Sequence, residues 1–154
     1  MRTILIFTLG LLACSGFAHA KKTPENNAPI DIVVYRSPSC GCCGKWLEHL
    51  KSNQFNVVDH LVEDVQSVKD RYGVSAELAS CHTALVNGYV VEGHVPASDI
   101  KKLLASKPPV VGISVPGMPS GTPGMEMGAK KDAYDVVSFD KNKQTQVFSH
   151  YGAE

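Results

Sequence analysis

The sequence predicts an α/β fold. Three observations carry that reading: β-branched runs of strand length, apolar residues at helical spacing between them, and the alternation of the two along the chain. The 154 residues suit one domain, and 44% apolar with 19% charged residues is a composition that buries a core. Lys+Arg 15 balance Asp+Glu 15, so charge points neither to nucleic acid nor to an acidic membrane surface as partner. No apolar run reaches the roughly 20 residues of a spanning helix.

Residues 1–20 read as a secretory signal peptide. Arg2 gives a positive start, an apolar stretch follows from Ile4 to Ala13, and Ala18-His19-Ala20 offers the small residues a signal peptidase reads. The expected result is a periplasmic protein cleaved after Ala20. Leu11-Leu12-Ala13-Cys14 also resembles a lipoprotein box that would lipidate Cys14. Its leader of 13 residues would be short, so plain cleavage is preferred. Cleavage leaves a net charge of −1 and four cysteines, Cys40, Cys42, Cys43 and Cys81. In an oxidising compartment, free thiols need a reason to exist.

Residues 21–29 are polar and read as a flexible lead-in. Ile-Asp-Ile-Val-Val-Tyr at 30–35 predicts a buried strand. A loop over 37–44 holds the cysteine cluster, and a helix runs on to about Asn53. Cys43, Leu47 and Leu50 share one face at i, i+4, i+7. Residues 55–60 form a second strand. Asp64 then caps a short helix with Val65, Val68 and Tyr72 inward and Gly73 as its stop. A third strand covers 82–86. Asn87-Gly88 suits a type I′ turn, whose central residues need φ > 0, and 89–92 returns as the partner strand. Pro96 fits a first helical turn, Ile100, Leu103 and Leu104 form the apolar stripe, and Pro108-Pro109 ends that helix. Glycines and prolines forbid regular structure over 115–128. Strands at 134–139 and 144–151 form an appended C-terminal hairpin around Asp140-Lys141-Asn142-Lys143.

The resulting order, β-α-β-α-β-β-α, is the thioredoxin plan. In that plan the first strand feeds a helix N-terminus, where Cys40, Cys42 and Cys43 stand. The loop before the third strand lies beside it. Thioredoxins carry a cis-proline in that loop, whereas this chain has Ser80-Cys81-His82. The expected organisation is a thioredoxin-like domain at 30–115, a Met/Gly/Pro loop over the site at 116–128, and the hairpin at 129–154 packed on the same domain.

Cys40-Gly41-Cys42-Cys43 places three thiols in four residues. A helix N-terminus favours thiolate over thiol, and thiolates with thioethers select Cu(I) over hard cations. Cys40 and Cys43 also have the C-x-x-C spacing of redox enzymes. Three readings stay open. Metal binding employs all four cysteines, with Cys42 and Cys43 bridging different ions of a small cluster. A thiol–disulfide oxidoreductase cycles Cys40 and Cys43 and leaves Cys42 without a task. A structural pairing would join Cys40 to Cys81. His94, bracketed by Gly93 and Pro96, is a candidate ligand, and His82 a second-shell or ligand candidate. Met118, Met125 and Met127 sit in a Gly/Pro loop rather than on a core element, so they either donate thioether sulfur or shield the thiolates. Trp46, one turn into the helix, reads as packing beside the site. His49, His60 and His150 read as surface residues. No phosphate loop, Ser/His/Asp set or carboxylate pair supports hydrolytic chemistry.

Several motifs together resemble the CopG-type copper-resistance family. They are Ser39-Cys40-Gly41-Cys42-Cys43-Gly44, Ser80-Cys81-His82-Thr83, Gly88-Tyr89-Val90-Val91-Glu92-Gly93-His94-Val95-Pro96, Val115-Pro116-Gly117-Met118-Pro119 and Pro123-Gly124-Met125-Glu126. The resemblance implies a thioredoxin-like periplasmic protein that binds copper in a cysteine-bridged multinuclear cluster. It carries over Cys40, Cys42, Cys43 and Cys81 as ligands, with His94 and a loop methionine beside them. Met127 stands outside the family's pattern. The expected function is copper resistance, with Cu(I) held as more than one ion per chain and Cu(I)/Cu(II) redox activity as an added capacity. A copper oxidoreductase is the enzymatic form of this reading. Alternatives are the thiol–disulfide oxidoreductase and a copper chaperone. Expected partners are copper ions and another periplasmic copper-handling or redox protein.

Overall fold

The structure, a computed structural model of the chain, describes residues 28–153. The expected signal peptide with Cys14, and residues 21–27 of the lead-in, lie outside the described residues. The elements are β1 (Ile30–Arg36), α1 (Gly41–Ser52), β2 (Phe55–Leu61), α2 (Val65–Arg71), β3 (His82–Val86), β4 (Tyr89–Glu92), α3 (Ala97–Ser106), β5 (Gly112–Ser114), β6 (Tyr134–Phe139) and β7 (Thr145–Tyr151). This is a mixed α/β fold with the predicted core order, and the predicted hairpin follows it.

The strands form one seven-stranded sheet in the order β2-β1-β3-β4-β5-β6-β7. β1–β2 and β4–β5 are parallel and the other pairs antiparallel. β5 is absent from the sequence reading. Its three residues link β4 to the hairpin, so β6–β7 extend the sheet instead of packing on it separately. Gly112 allows this link, because a Cβ there would lie 2.1 Å from the Val90 carbonyl oxygen.

Apolar spacing decides which faces are buried. On α1, Cys43, Trp46, Leu47 and Leu50 are buried at i, i+3, i+4, i+7. Trp46, Leu47 and Leu50 meet Ile32 and Val34 of β1, Ala84 and Val86 of β3, and Ile100 and Leu103 of α3 in one core. Val74, Leu78, Val90 and Phe139 form a second cluster. α2 departs from expectation. Val65, Val68 and Tyr72 are only half-buried, and the buried residue is Lys69 at 4% exposure, drawn inward by Glu92. The Asp64 cap is as expected, its carboxylate accepting from the Ser67 N–H at 3.0 Å.

Candidate metal centre

The β1–β3 register sets Arg36 opposite His82. The chain leaving β1 and the chain entering β3 therefore run side by side. Gly93 N–H donates to the His82 carbonyl at 3.0 Å, which brings the end of β4 to the same place. Three segments distant in sequence thus meet at the N-terminus of α1.

α1 starts earlier than the sequence suggests, at Gly41, so Cys42 and Cys43 lie in its first turn and Cys40 is its N-cap. The extended backbone of Cys40 (φ −80°, ψ 92°) admits the helix directly, and neither Gly41 nor Gly44 interrupts it. Among the described residues no acidic residue belongs to that first turn and no side chain caps it, so Cys40, Cys42 and Cys43 stand at the positive end of the helix. Cys40 and Cys43 form a disulfide with Cα atoms 5.5 Å apart, and Cys42 and Cys81 are free among the described residues. The pairing is therefore Cys40 with Cys43 and not with Cys81. The Cys42 sulfur lies 3.6 Å from that of Cys40.

All four sulfurs lie within 4.8 Å of one another. A tetrahedral site with metal–sulfur bonds of about 2.3 Å needs sulfurs roughly 3.8 Å apart, so small shifts suffice once the disulfide is reduced. Cys81, His82 and His94 form a second group within the same 4.8 Å. The Cys81 sulfur is 3.1 Å from His94 Nε2 and 3.2 Å from His82 Nδ1. Cys81 precedes β3 rather than lying in it, so Cys81 and His82 avoid the opposite orientations of neighbouring strand residues.

The histidines are set up as neutral donors. His94 Nδ1 lies 2.7 Å from the Pro123 carbonyl, which only accepts, so Nδ1 carries the proton and Nε2 turns a lone pair toward Cys81. Burial holds His94 and, far more strongly, His82 below the ordinary imidazole pKa. His82 Nε2 is buried and has no hydrogen-bond partner among the described residues. Its ring lies against Trp46, centroids 4.2 Å apart, and Trp46 Nε1 donates to the Val95 carbonyl at 2.9 Å. Burial, with the neighbouring Cys42 second, pushes the Cys81 thiol up to about 11. The helix N-terminus therefore does not make Cys81 a spontaneous thiolate.

The 116–128 loop lies on the first turns of α1. Gly124 (φ +84°) approaches so closely that a Cβ would stand 2.7 Å from the Trp46 nitrogen and 3.1 Å from the Cys42 carbonyl oxygen. The three methionines diverge: Met125 is 9% exposed, whereas Met118 and Met127 are 55% and 71% exposed. His49 is not the surface residue expected. It is half-buried, and its Nε2 accepts from the Ala97 N–H at 3.1 Å at the start of α3. His60 and His150 are exposed, the first stacked on Tyr35 and the second bonded to Asp135. The sequence reading also missed Lys69, Thr83 and Glu92, which form a buried polar cluster behind Cys81. The one available signal was Glu92 ending a β-branched strand, in register with Thr83.

A family model described as protein of unknown function, DUF411, matches residues 78–125, which include Cys81, His82, His94, Met118 and Met125. Two solved structures, form 1 and form 2 of a copper resistance protein CopG, are similar to the chain. Each is 48% identical, with a TM-score of 0.77, over 80% of this chain and 98% of that one. No curated protein matches.

Proposed function

Because the chain belongs to the CopG copper-resistance family, we propose that it is a periplasmic protein that takes Cu(I) as cargo in a cysteine-bridged site of more than one ion. The convergence of four sulfurs within 4.8 Å carries this reading. Soft thiolates and neutral imidazoles form a donor set that suits Cu(I), and no carboxylate belongs to either group. Cys40, Cys42, Cys43 and Cys81 are the proposed ligands, with His94 completing the set and the buried Met125 as the thioether candidate. His82 stands behind them as a further donor. Cys81 belongs to both groups, the arrangement a bridging thiolate needs. Met118 and Met127, exposed to solvent, are the less favoured thioether candidates. The working unit is the 30–115 domain, covered by the 116–128 loop and flanked by the hairpin.

Loading requires two electrons. A dithiol partner would reduce Cys40–Cys43 by thiol exchange, becoming a disulfide itself and leaving two protein thiols. The ions then displace the thiol protons, and burial of Cys81 adds to the cost of that displacement. Cu(I)/Cu(II) cycling is an added capacity of the same donor set.

Elemental analysis of reduced, copper-treated protein tests the reading. More than one copper per chain is expected, and fewer in Cys42→Ser. Retention of zinc alone would overturn it. Export is tested separately: the mature N-terminus is expected at Lys21, and a lipid on Cys14 would contradict that.

The Cys40–Cys43 disulfide favours a second reading, a thiol–disulfide oxidoreductase. That reading predicts disulfide reductase activity lost in Cys40→Ser and unchanged in Cys42→Ser.

A further inference from the structure

Glu92, Lys69 and Thr83 are 0%, 4% and 0% exposed, in a position where the copper reading gives them no task. A buried charge pair is seldom explained by stability, since apolar residues of the same volume often serve as well. What this pair touches is informative. Glu92 Oε1 accepts from Lys69 Nζ at 2.5 Å and from the backbone N–H of Ser80 at 2.7 Å. Glu92 Oε2 accepts from Thr83 Oγ1 at 2.6 Å, and Lys69 Nζ also donates to Thr83 Oγ1 at 3.2 Å. One carboxylate, charge-balanced by one ammonium, therefore holds the backbone N–H of Ser80, the residue before Cys81.

The rest of that loop is fixed from other sides. Ser80 Oγ donates to the Gly117 carbonyl at 2.5 Å, and Gly117 N–H donates to Ala79 at 3.1 Å. Gly93 (φ +73°) lets Ser80 approach, because a Cβ there would stand 2.5 Å from Ser80 Oγ. The Ser80 N–H has the Glu92 carboxylate as its partner, and the next side chain along the chain is the sulfur shared by both donor groups.

We propose that the buried Glu92–Lys69 pair is a positioning device for the fourth thiolate: it clamps the Ser80 peptide and so aims Cys81 at the cysteines of α1. This deepens the copper reading and rests on it. Neither residue touches the ion. Their effect reaches it through the orientation of one sulfur, as outer partners of metal ligands act elsewhere.

Two variants of the full, reduced chain test the device, each titrated with Cu(I) against a chromophoric Cu(I) chelator. Lys69→Met/Glu92→Leu removes the clamp without leaving a buried charge. Its Cu(I) affinity is expected to fall at least about tenfold while thermal unfolding stays near that of the parent. Lys69→Met/Glu92→Gln keeps a carbonyl oxygen for the Ser80 N–H and an amide for Thr83, and is expected to restore affinity to within about threefold of the parent. Amide hydrogen exchange of metal-free protein gives a copper-independent readout. The Ser80 amide is expected to be protected in the parent and in the Gln variant and to exchange at least about tenfold faster in the Leu variant.

Parent-like affinity in the Leu variant overturns the inference, as does a Gln variant as impaired as the Leu one. Should the Leu variant not fold, an unprotected Ser80 amide in the parent overturns it alone. Cys81→Ser is the control for the underlying reading. If that substitution leaves Cu(I) binding intact, the copper assignment of Cys81 falls, whatever the clamp variants do.

Discussion

Gly124 carries more of the site than its size suggests. With φ at +84° and no room for a Cβ against Trp46 and Cys42, it lets the loop backbone rest on the helix that bears Cys42 and Cys43 and is capped by Cys40. Gly124→Ala is expected to cost about 1–3 kcal/mol in urea unfolding. It should also raise the rate of Met125 oxidation by peroxide toward that of the exposed Met127, measured by peptide mass spectrometry. An unchanged Met125 rate would mean that the loop is held elsewhere. At this scale the cysteines were legible because spacing alone announces them. Lys69 and Glu92 were not, because a charged side chain in a mixed sequence reads as solvated until its partner is located, here 23 residues away. His49 was misread for the same reason, since its bond to Ala97 N–H spans 48 residues.

Among the elements, the stripes, the Asp64 cap and the short strands β3 and β4 are legible in the sequence, whereas the start of α1 and the three-residue β5 are not. The α1 stripe and the β1 run leave little choice of structure, and the Asn87-Gly88 turn fixes β3–β4, with φ values of 46° and 85°. α1 starts earlier than its sequence suggests because Gly41 and Gly44 weigh against helix in isolation, whereas burial of Cys43 and Trp46 overrides propensity. β5 escaped because three residues show no period, and Gly112 argues against a strand unless one knows that Val90 crosses beside it. Gly112→Ala is expected to force β4 and β5 apart at a cost of about 1–3 kcal/mol. Amide exchange should then rise in β6 and β7 more than in β1 and β2, because the hairpin joins the sheet through β5. Equal protection across the sheet would show that the hairpin is anchored independently.

For the whole molecule, the far edge of the sheet is closed by a second buried acid. Asp99, 3% exposed in the first turn of α3, accepts from Ser149 Oγ at 2.5 Å and from the Tyr151 hydroxyl at 2.6 Å. Tyr151 stacks on Tyr134 with centroids 4.7 Å apart. Burial raises both phenols above their ordinary value, with the negative Asp99 adding to it. The folded state therefore binds these protons more tightly than the unfolded state. Its stability is full below about pH 10 and is lost as pH climbs through the raised values. Thermal unfolding between about pH 8 and about pH 11 should show this loss, and Tyr151→Phe should make it shallower. A parallel profile in the variant would place the alkaline sensitivity elsewhere.

The donors at residues 40–43 and at 81 belong to stretches that β1 and β3 bring together only when Arg36 pairs with His82. An unfolded chain offers an ion the first stretch alone. On the proposed copper reading, cargo that needs both is bound chiefly by the native state, so binding and folding are thermodynamically linked: near saturation, each tenfold rise in free copper would add about 1.4 kcal/mol of native stability per bound ion. On that reading the melting temperature of the reduced protein becomes a gauge of the free copper around it, readable without any spectroscopic signal from the ion.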